Sequence, residues 1–177
     1  MSMFKATTIV AVKRDGRTVL AADGQVTMGQ QIIFKGHARK IRRLYNDTVV
    51  VGFAGGAADG FAMSEEFEKL LNKHSGSLMR SAVEYARNIR TSGHANTEAM
   101  LIVADKDTLL ILSSAGDLIE PDDGICAIGS GGNFALSAAK ALLNNTNLDA
   151  KEIALKSMEI ASDICVYTNN NFVIEEV

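Results

Sequence analysis

The chain has 177 residues, 47% of them hydrophobic and 22% charged, with a formal net charge of −3. That length suits one domain with a substantial core, and the mild negative charge offers no global attraction to nucleic acid or an anionic membrane. No apolar run approaches the ~20 residues that span a bilayer, and residues 1–6 lack the apolar stretch of a secretory signal, so a cytoplasmic protein is expected.

The first six residues, MSMFKA, match no regular element. Residues 7–14 (TTIVAVKR) and 17–22 (RTVLAA) are β-branched and apolar, and they flank Asp15-Gly16. Asp-Gly between two such runs predicts a hairpin. Residues 25–34 read as a further extended piece, and 48–54 (TVVVGFA) as a strand apolar on both faces, hence buried on both sides. Met63, Phe67, Leu70 and Leu71 then form one helical stripe, and Leu78, Ala82, Tyr85 and Ile89 a second over about 77–91. Strands are expected over 98–104 and 108–113, with a turn at Ala115-Gly116-Asp117, and over 124–129, ending in Gly129-Ser130-Gly131-Gly132. Helices follow over about 133–144 and 150–164, the second opening with Asp149 and Glu152 at capping-box spacing. The chain closes on a strand-like FVIEEV.

Strand block, two helices, strand block, two helices and a last strand predict an α+β fold, a sandwich of sheets with a helix layer on each outer face. The segment 129–132 lacks the pattern of a phosphate loop, so no bound nucleotide is expected. Cys126 and Cys165 lie alone in apolar stretches and read as buried reduced thiols. His37, His74 and His94 are scattered, without the spacing of a metal site.

Thr7 is where chemistry could reside. A threonine hydroxyl is a poor nucleophile and needs an adjacent base. If Thr7 began the chain, its own α-amine, with a pKa near ~8, could serve. In the uncut chain that nitrogen is an amide with no basicity, so the mechanism requires MSMFKA to be removed.

The blocks TTIVAVKRDG, ADGQVTMGQ, ARKIRRLYNDTVVVGFAGGAADGF, EPDDGICAIGSGGNFAL and ASDICVYTN together resemble the HslV family, the proteasome-like peptidase subunits of a bacterial two-component ATP-dependent protease. The resemblance runs from Thr7 almost to the C-terminus. It implies a four-layer αββα sandwich of the N-terminal-nucleophile hydrolase type, with residues 1–6 as a propeptide or extension and 7–177 as one peptidase domain. It implies Thr7 as the nucleophile of a threonine-type endopeptidase, Lys40 as the lysine beside it, and Asp23 as the acidic residue that orients the lysine. Gly52 stands where a backbone N–H donates to the oxyanion, and Ser130 where a hydroxyl holds the terminal amine.

The same resemblance implies a monovalent cation, a sodium ion, held by the backbone carbonyls of Ser162, Cys165 and Thr168. It implies a homo-oligomer of two stacked hexameric rings, a dodecamer, which encloses the active sites. It further implies a hexameric AAA+ unfoldase ATPase as partner and unfolded polypeptide as substrate. Two features depart from the family: the chain has no Trp, and residues 88–99 read NIRTSGHANTEA, with Gly93 and polar neighbours where an Arg-rich helical stretch is usual. The six-residue prefix also leaves other readings open. Removal of Met1 alone would place Ser2 first, and a serine with a free amine is a nucleophile of the same type. A catalytically silent shell subunit that never matures is another, and an amide hydrolase acting on a small molecule a third.

Overall fold

A computed structural model describes residues 4–5, 7–29, 31–92 and 99–177. Ser2 lies outside the described residues, as do 93–98 of the atypical polar segment. The strands are β1 Phe4–Lys5, β2 Thr8–Arg14, β3 Arg17–Ala22, β4 Val26–Met28, β5 Ile32–Lys35, β6 Ile41–Leu44 and β7 Val49–Ala54. Helices α1 Ala57–Lys73 and α2 Leu78–Ser92 follow, then β8 Met100–Ala104, β9 Leu109–Ser113, β10 Leu118–Ile119 and β11 Ile125–Gly129. Helices α3 Gly132–Asn145 and α4 Ala150–Ile164 and strand β12 Val173–Glu176 complete the chain.

The predicted hairpin is β2–β3. Asp15 and Gly16 both take positive φ, 52° and 78°, the combination a two-residue type I′ turn requires and which asparagine, aspartate and glycine tolerate best. β2 and β3 sit at the centre of a four-stranded sheet, β11-β2-β3-β12, and β7 and β8 lie inside a five-stranded sheet, β10-β9-β8-β7-β6. A small third sheet has the order β1-β4-β5.

The period-2 alternation of side chains sorts the core into layers. Ile9 and Ala11 of β2 meet Val50 and Ala54 of β7 and Ile102 and Ala104 of β8 between the two large sheets. Val10 and Val12 point the other way, onto Ala135, Ala139, Ile153, Ala154 and Met158 of α3 and α4. Val49, Val51 and Phe53 of β7 likewise pack on Phe67, Leu71 and Tyr85 of α1 and α2. The layer order is therefore helices, sheet, sheet, helices: the αββα sandwich. α4 begins with the anticipated capping box, Asp149 accepting from the Glu152 N–H while the Glu152 carboxylate accepts from the Asp149 N–H. Cys126 and Cys165 are buried free thiols.

Three strands have no counterpart in the sequence reading. β1 is two residues from the prefix, paired antiparallel to Thr27 and Met28 of β4. β6, IRRL, lacks apolar alternation, and β10 spans only two residues. The extended piece at 25–34 is two strands, β4 and β5, paired with each other.

Candidate active site

The two halves of the sandwich meet around the start of β2. Asp23 follows β3 directly and is fully buried. One of its carboxylate oxygens, Oδ1, accepts from the Thr8 N–H at 2.8 Å and from the Lys40 ammonium at 2.8 Å. A single oxygen thus ties Lys40 to the residue after Thr7. The other oxygen accepts from the Gln25 N–H at 2.9 Å, and Lys40 Nζ also donates to the Gln25 carbonyl at 2.6 Å.

Lys35, His37, Arg39 and Arg43 are exposed, whereas Lys40, in the same basic stretch, is only 2% exposed. Burial holds the Lys40 ammonium below the usual lysine range, and the charge and hydrogen bond of Asp23 oppose that shift. A buried ammonium and a buried carboxylate stabilise one another, since either alone would be strongly unfavourable.

Thr7 is itself 2% exposed and has φ of +143°, an outlier for a β-branched residue. Its carbonyl accepts from the Ser130 N–H at 2.8 Å. Gly129 makes that approach possible, because a Cβ there would lie 1.9 Å from the Thr7 oxygen. Gly131 donates its N–H to Thr8 Oγ1 at 2.8 Å, and Thr8 Oγ1 bonds Thr168 Oγ1 at 2.7 Å. The Gly-Ser-Gly-Gly segment is therefore a backbone cradle for Thr7 and Thr8. Ser130 is exposed and reaches this junction through its N–H.

A cleft of about 950 Å³ opens over this site. Thr7, Lys40, Val26, Phe53, Phe61 and Gly55 are among the residues that line it, with Arg39 and Arg42 along its length. Arg42 lies 4.2 Å from the centroid of the Phe61 ring.

Gly52 is not at this cleft, which corrects the position expected for the oxyanion donor. It lies within β7, opposite Ile41 on one side and Ile102 on the other. The Phe53 N–H donates to the Lys40 carbonyl in β6's direction, and successive strand amides alternate in direction, so the Gly52 N–H faces β8. Its Cα faces the other sheet, where a Cβ would meet Ile9 Cδ1 at 2.9 Å. Gly52→Ala should therefore cost about 1–3 kcal/mol by overpacking, read as a lower midpoint in urea. The glycine at the cleft is Gly55, just past β7, with φ of +115° and its Cα against Ala99.

Ser162 lies in the last turn of α4, Cys165 caps that helix, and Thr168 follows. The Thr168 N–H donates to the Cys165 carbonyl at 3.0 Å, and the Val166 carbonyl accepts from Gln25 Nε2 at 2.9 Å. The segment after α4 thus braces Thr8 and the Asp23 loop together. Thr8, Gln25, Gly55 and Asn169 went unnoticed in the sequence. The Gly-Gly after a buried strand and the Asn of YTN were the available signals.

A family model described as Proteasome subunit matches residues 3–177. The chain is 54% identical to the "ATP-dependent protease subunit HslV" of Enterococcus faecalis, over 99% of this chain and 98% of that one. The crystal structure of a eukaryotic HslV from Trypanosoma brucei superposes with a TM-score of 0.89 at 42% identity, covering 96% of this chain and 98% of that chain. BPH of Thiobacillus denitrificans, solved in complex with epoxomicin, shares the fold with a TM-score of 0.72 at 19% identity over 96% and 97% of the two chains. The buried lysine–aspartate pair beside Thr7, the αββα sandwich and these matches along the whole chain agree: the chain belongs to the proteasome-subunit family, as a protease subunit of the HslV type.

Proposed function

We propose that this subunit is a threonine-type endopeptidase whose nucleophile is Thr7, exposed as the N-terminal residue once residues 1–6 are removed. The observation that carries the reading is the single Asp23 oxygen shared by Lys40 Nζ and the Thr8 N–H, which sets an ammonium beside the first residues of β2 at the floor of a cleft. The Thr7 backbone supports it. A non-glycine residue held in such a φ stores about 1–3 kcal/mol, and φ of Thr7 exists only while the Ala6–Thr7 peptide bond exists. Cutting that bond releases the strain and converts an inert amide into a base. In the uncut chain, β1 of the prefix lies along β4, beside the same cleft, which suits a cap.

In the reaction the Thr7 hydroxyl attacks the scissile carbonyl carbon and passes its proton to the Thr7 α-amine. Lys40, held by Asp23, lowers the pKa of both groups by its charge. The tetrahedral oxyanion is taken by the backbone N–H of Gly55 rather than of Gly52, a type of contact worth about 3 kcal/mol in acyl transfer. Collapse breaks the C–N bond, the amine returns its proton to the leaving nitrogen, and water then hydrolyses the Thr7 ester. The hydroxyl of Ser130, whose N–H already holds the Thr7 carbonyl, helps hold the terminal amine.

A monovalent cation, a sodium ion, would be held by the carbonyls of Ser162, Cys165 and Thr168. Ser162 lies in the last turn of α4, where carbonyls lack intrahelical donors and carry partial negative charge, and hard oxygen donors suit a hard cation. Bound there, it would supply fixed positive charge that stiffens the segment bracing Thr8 and Asp23. Assembly as a double hexameric ring, with an AAA+ unfoldase delivering unfolded polypeptide, completes the reading. Ile32, Ile33 and Phe34 of β5 are 54%, 63% and 64% exposed, an apolar strand suited to packing on another copy.

Intact mass of the purified native protein tests the proposal. Loss of residues 1–6 is the expected result. Loss of Met1 alone would replace Thr7 by Ser2 as the candidate nucleophile, or mark a silent subunit if no covalent labelling accompanies it.

A further inference from the structure

We infer that Asn169 is a positioning residue for the Asp23–Lys40 pair, acting as a clip between the loop that carries Asp23 and the loop that leads to Lys40. The inference rests on the proposed role of that pair.

At Gly24 the two loops touch backbone to backbone. Gly24 is buried against Gly36 and His37, and a Cβ on Gly24 would meet the Gly36 oxygen at 2.5 Å and the His37 Cα at 3.0 Å. The Ala38 N–H donates to the Gly24 carbonyl at 2.8 Å. Asn169 spans this contact. Its Oδ1 accepts from the Gly24 N–H at 3.1 Å, and its Nδ2 donates to the Gly36 carbonyl at 2.8 Å. Its own N–H points at Asp23 Oδ2, 3.4 Å away. Asn171 adds a second donor to the Gly36 carbonyl at 2.9 Å and gives its N–H to Asn169 Oδ1 at 3.2 Å.

The chemistry of the clip is specific. One side must accept an N–H and the other must donate to a carbonyl, and a carboxamide does both from two separate atoms. Aspartate keeps the shape but offers only acceptors, so it would face the Gly36 carbonyl with an oxygen. The clip fixes the backbone one residue after Asp23 and four residues before Lys40. Lys40 Nζ depends on that spacing for its bonds to Asp23 and to the Gln25 carbonyl. Thr168, the preceding residue, holds Thr8, so the pair Thr168-Asn169 pins the nucleophile's strand and the loops of Asp23 and Lys40 from one short segment.

The test compares Asn169→Ala, Asn169→Asp and Asn171→Ala in the assembled, processed protein with a fluorogenic peptide. The expected result is a fall in kcat of about 10–100-fold for both Asn169 variants with KM nearly unchanged, and a much smaller fall for Asn171→Ala. Asn169→Asp also adds negative charge beside Asp23, which favours the protonated forms of Lys40 and of the Thr7 amine. That amine must be neutral to act as base, so the acid limb of kcat against pH should move to higher pH, by about one unit. Unchanged kcat in both variants overturns the inference. So does a fall in kcat with an unmoved acid limb, which would mark a purely structural residue, and so does a fall matched by Asn171→Ala. If Asn169→Ala fails to assemble, the near-isosteric Asn169→Asp still decides. Failure of the underlying reading is separate: it appears as covalent labelling that survives Thr7→Ala.

Discussion

Thr7→Ala should abolish peptide hydrolysis, by about 10⁴-fold or more, and should abolish covalent labelling by electrophiles that react with an N-terminal hydroxyl and its amine. The fold should be untouched. Thr7 precedes β2, and its contact with the 129–132 segment is made by its carbonyl, which alanine retains. The variant is best made twice, once with the natural prefix and once starting at residue 7 after methionine removal, because a chain lacking the nucleophile can also fail to lose its prefix. Both forms should be inactive, and the form starting at residue 7 should unfold at the same urea concentration as its Thr7 counterpart. Labelling that persists in the prefixed form, on a chain that begins at Ser2, would displace Thr7 from its assigned role. Thr7→Ser should retain part of the activity, since the hydroxyl and the amine are both kept.

The layered fold was readable because its signals are local. The Asp15-Gly16 turn, the two-sided burial of 49–54 and the Asp149–Glu152 box each need only a few neighbouring residues, and each appears in the structure. β6 escaped because Arg42 and Arg43 interrupt any alternation. It is held in place by pairing with β7, which no local pattern encodes. The glycine at the cleft was misplaced for a related reason. VVGFAGG offers three glycines, and only strand register reveals that Gly52 turns toward Ile9 while Gly55 reaches the cleft. Thr8, Gln25 and Asn169 share a deeper obstacle. Their partners Thr168, Val166 and Gly24 lie more than 140 residues away along the chain, and no local pattern encodes contacts at that range.

Breaking the Asp23–Lys40 pair should separate stability from catalysis. In Lys40→Met the fully buried Asp23 carboxylate keeps N–H donors from Thr8 and Gln25 but loses its counter-charge. Leaving one buried charge unpaired costs about 3–5 kcal/mol, so the urea midpoint should fall clearly. Asp23→Asn removes the counter-charge and leaves the ammonium with the Gln25 carbonyl and a neutral amide oxygen, so it should also destabilise. Each single variant should lose about 10²–10⁴-fold in kcat, the scale of a positioned proton-transfer group. The double variant removes both charges together, and a neutral pair of similar volume can recover about 1–4 kcal/mol over a broken one. Stability should therefore return in part while activity does not. The residual activity of Asp23→Asn carries a further sign. Burial already lowers the Lys40 pKa, and Asp23 is what opposes it. Without that carboxylate the ammonium loses its proton at lower pH, so the alkaline limb of the rate profile should move toward neutrality. Activity that recovers with stability in the double variant would show that the pair serves the fold alone, and the proton chemistry would then have to rest on Thr7 and its amine without Lys40.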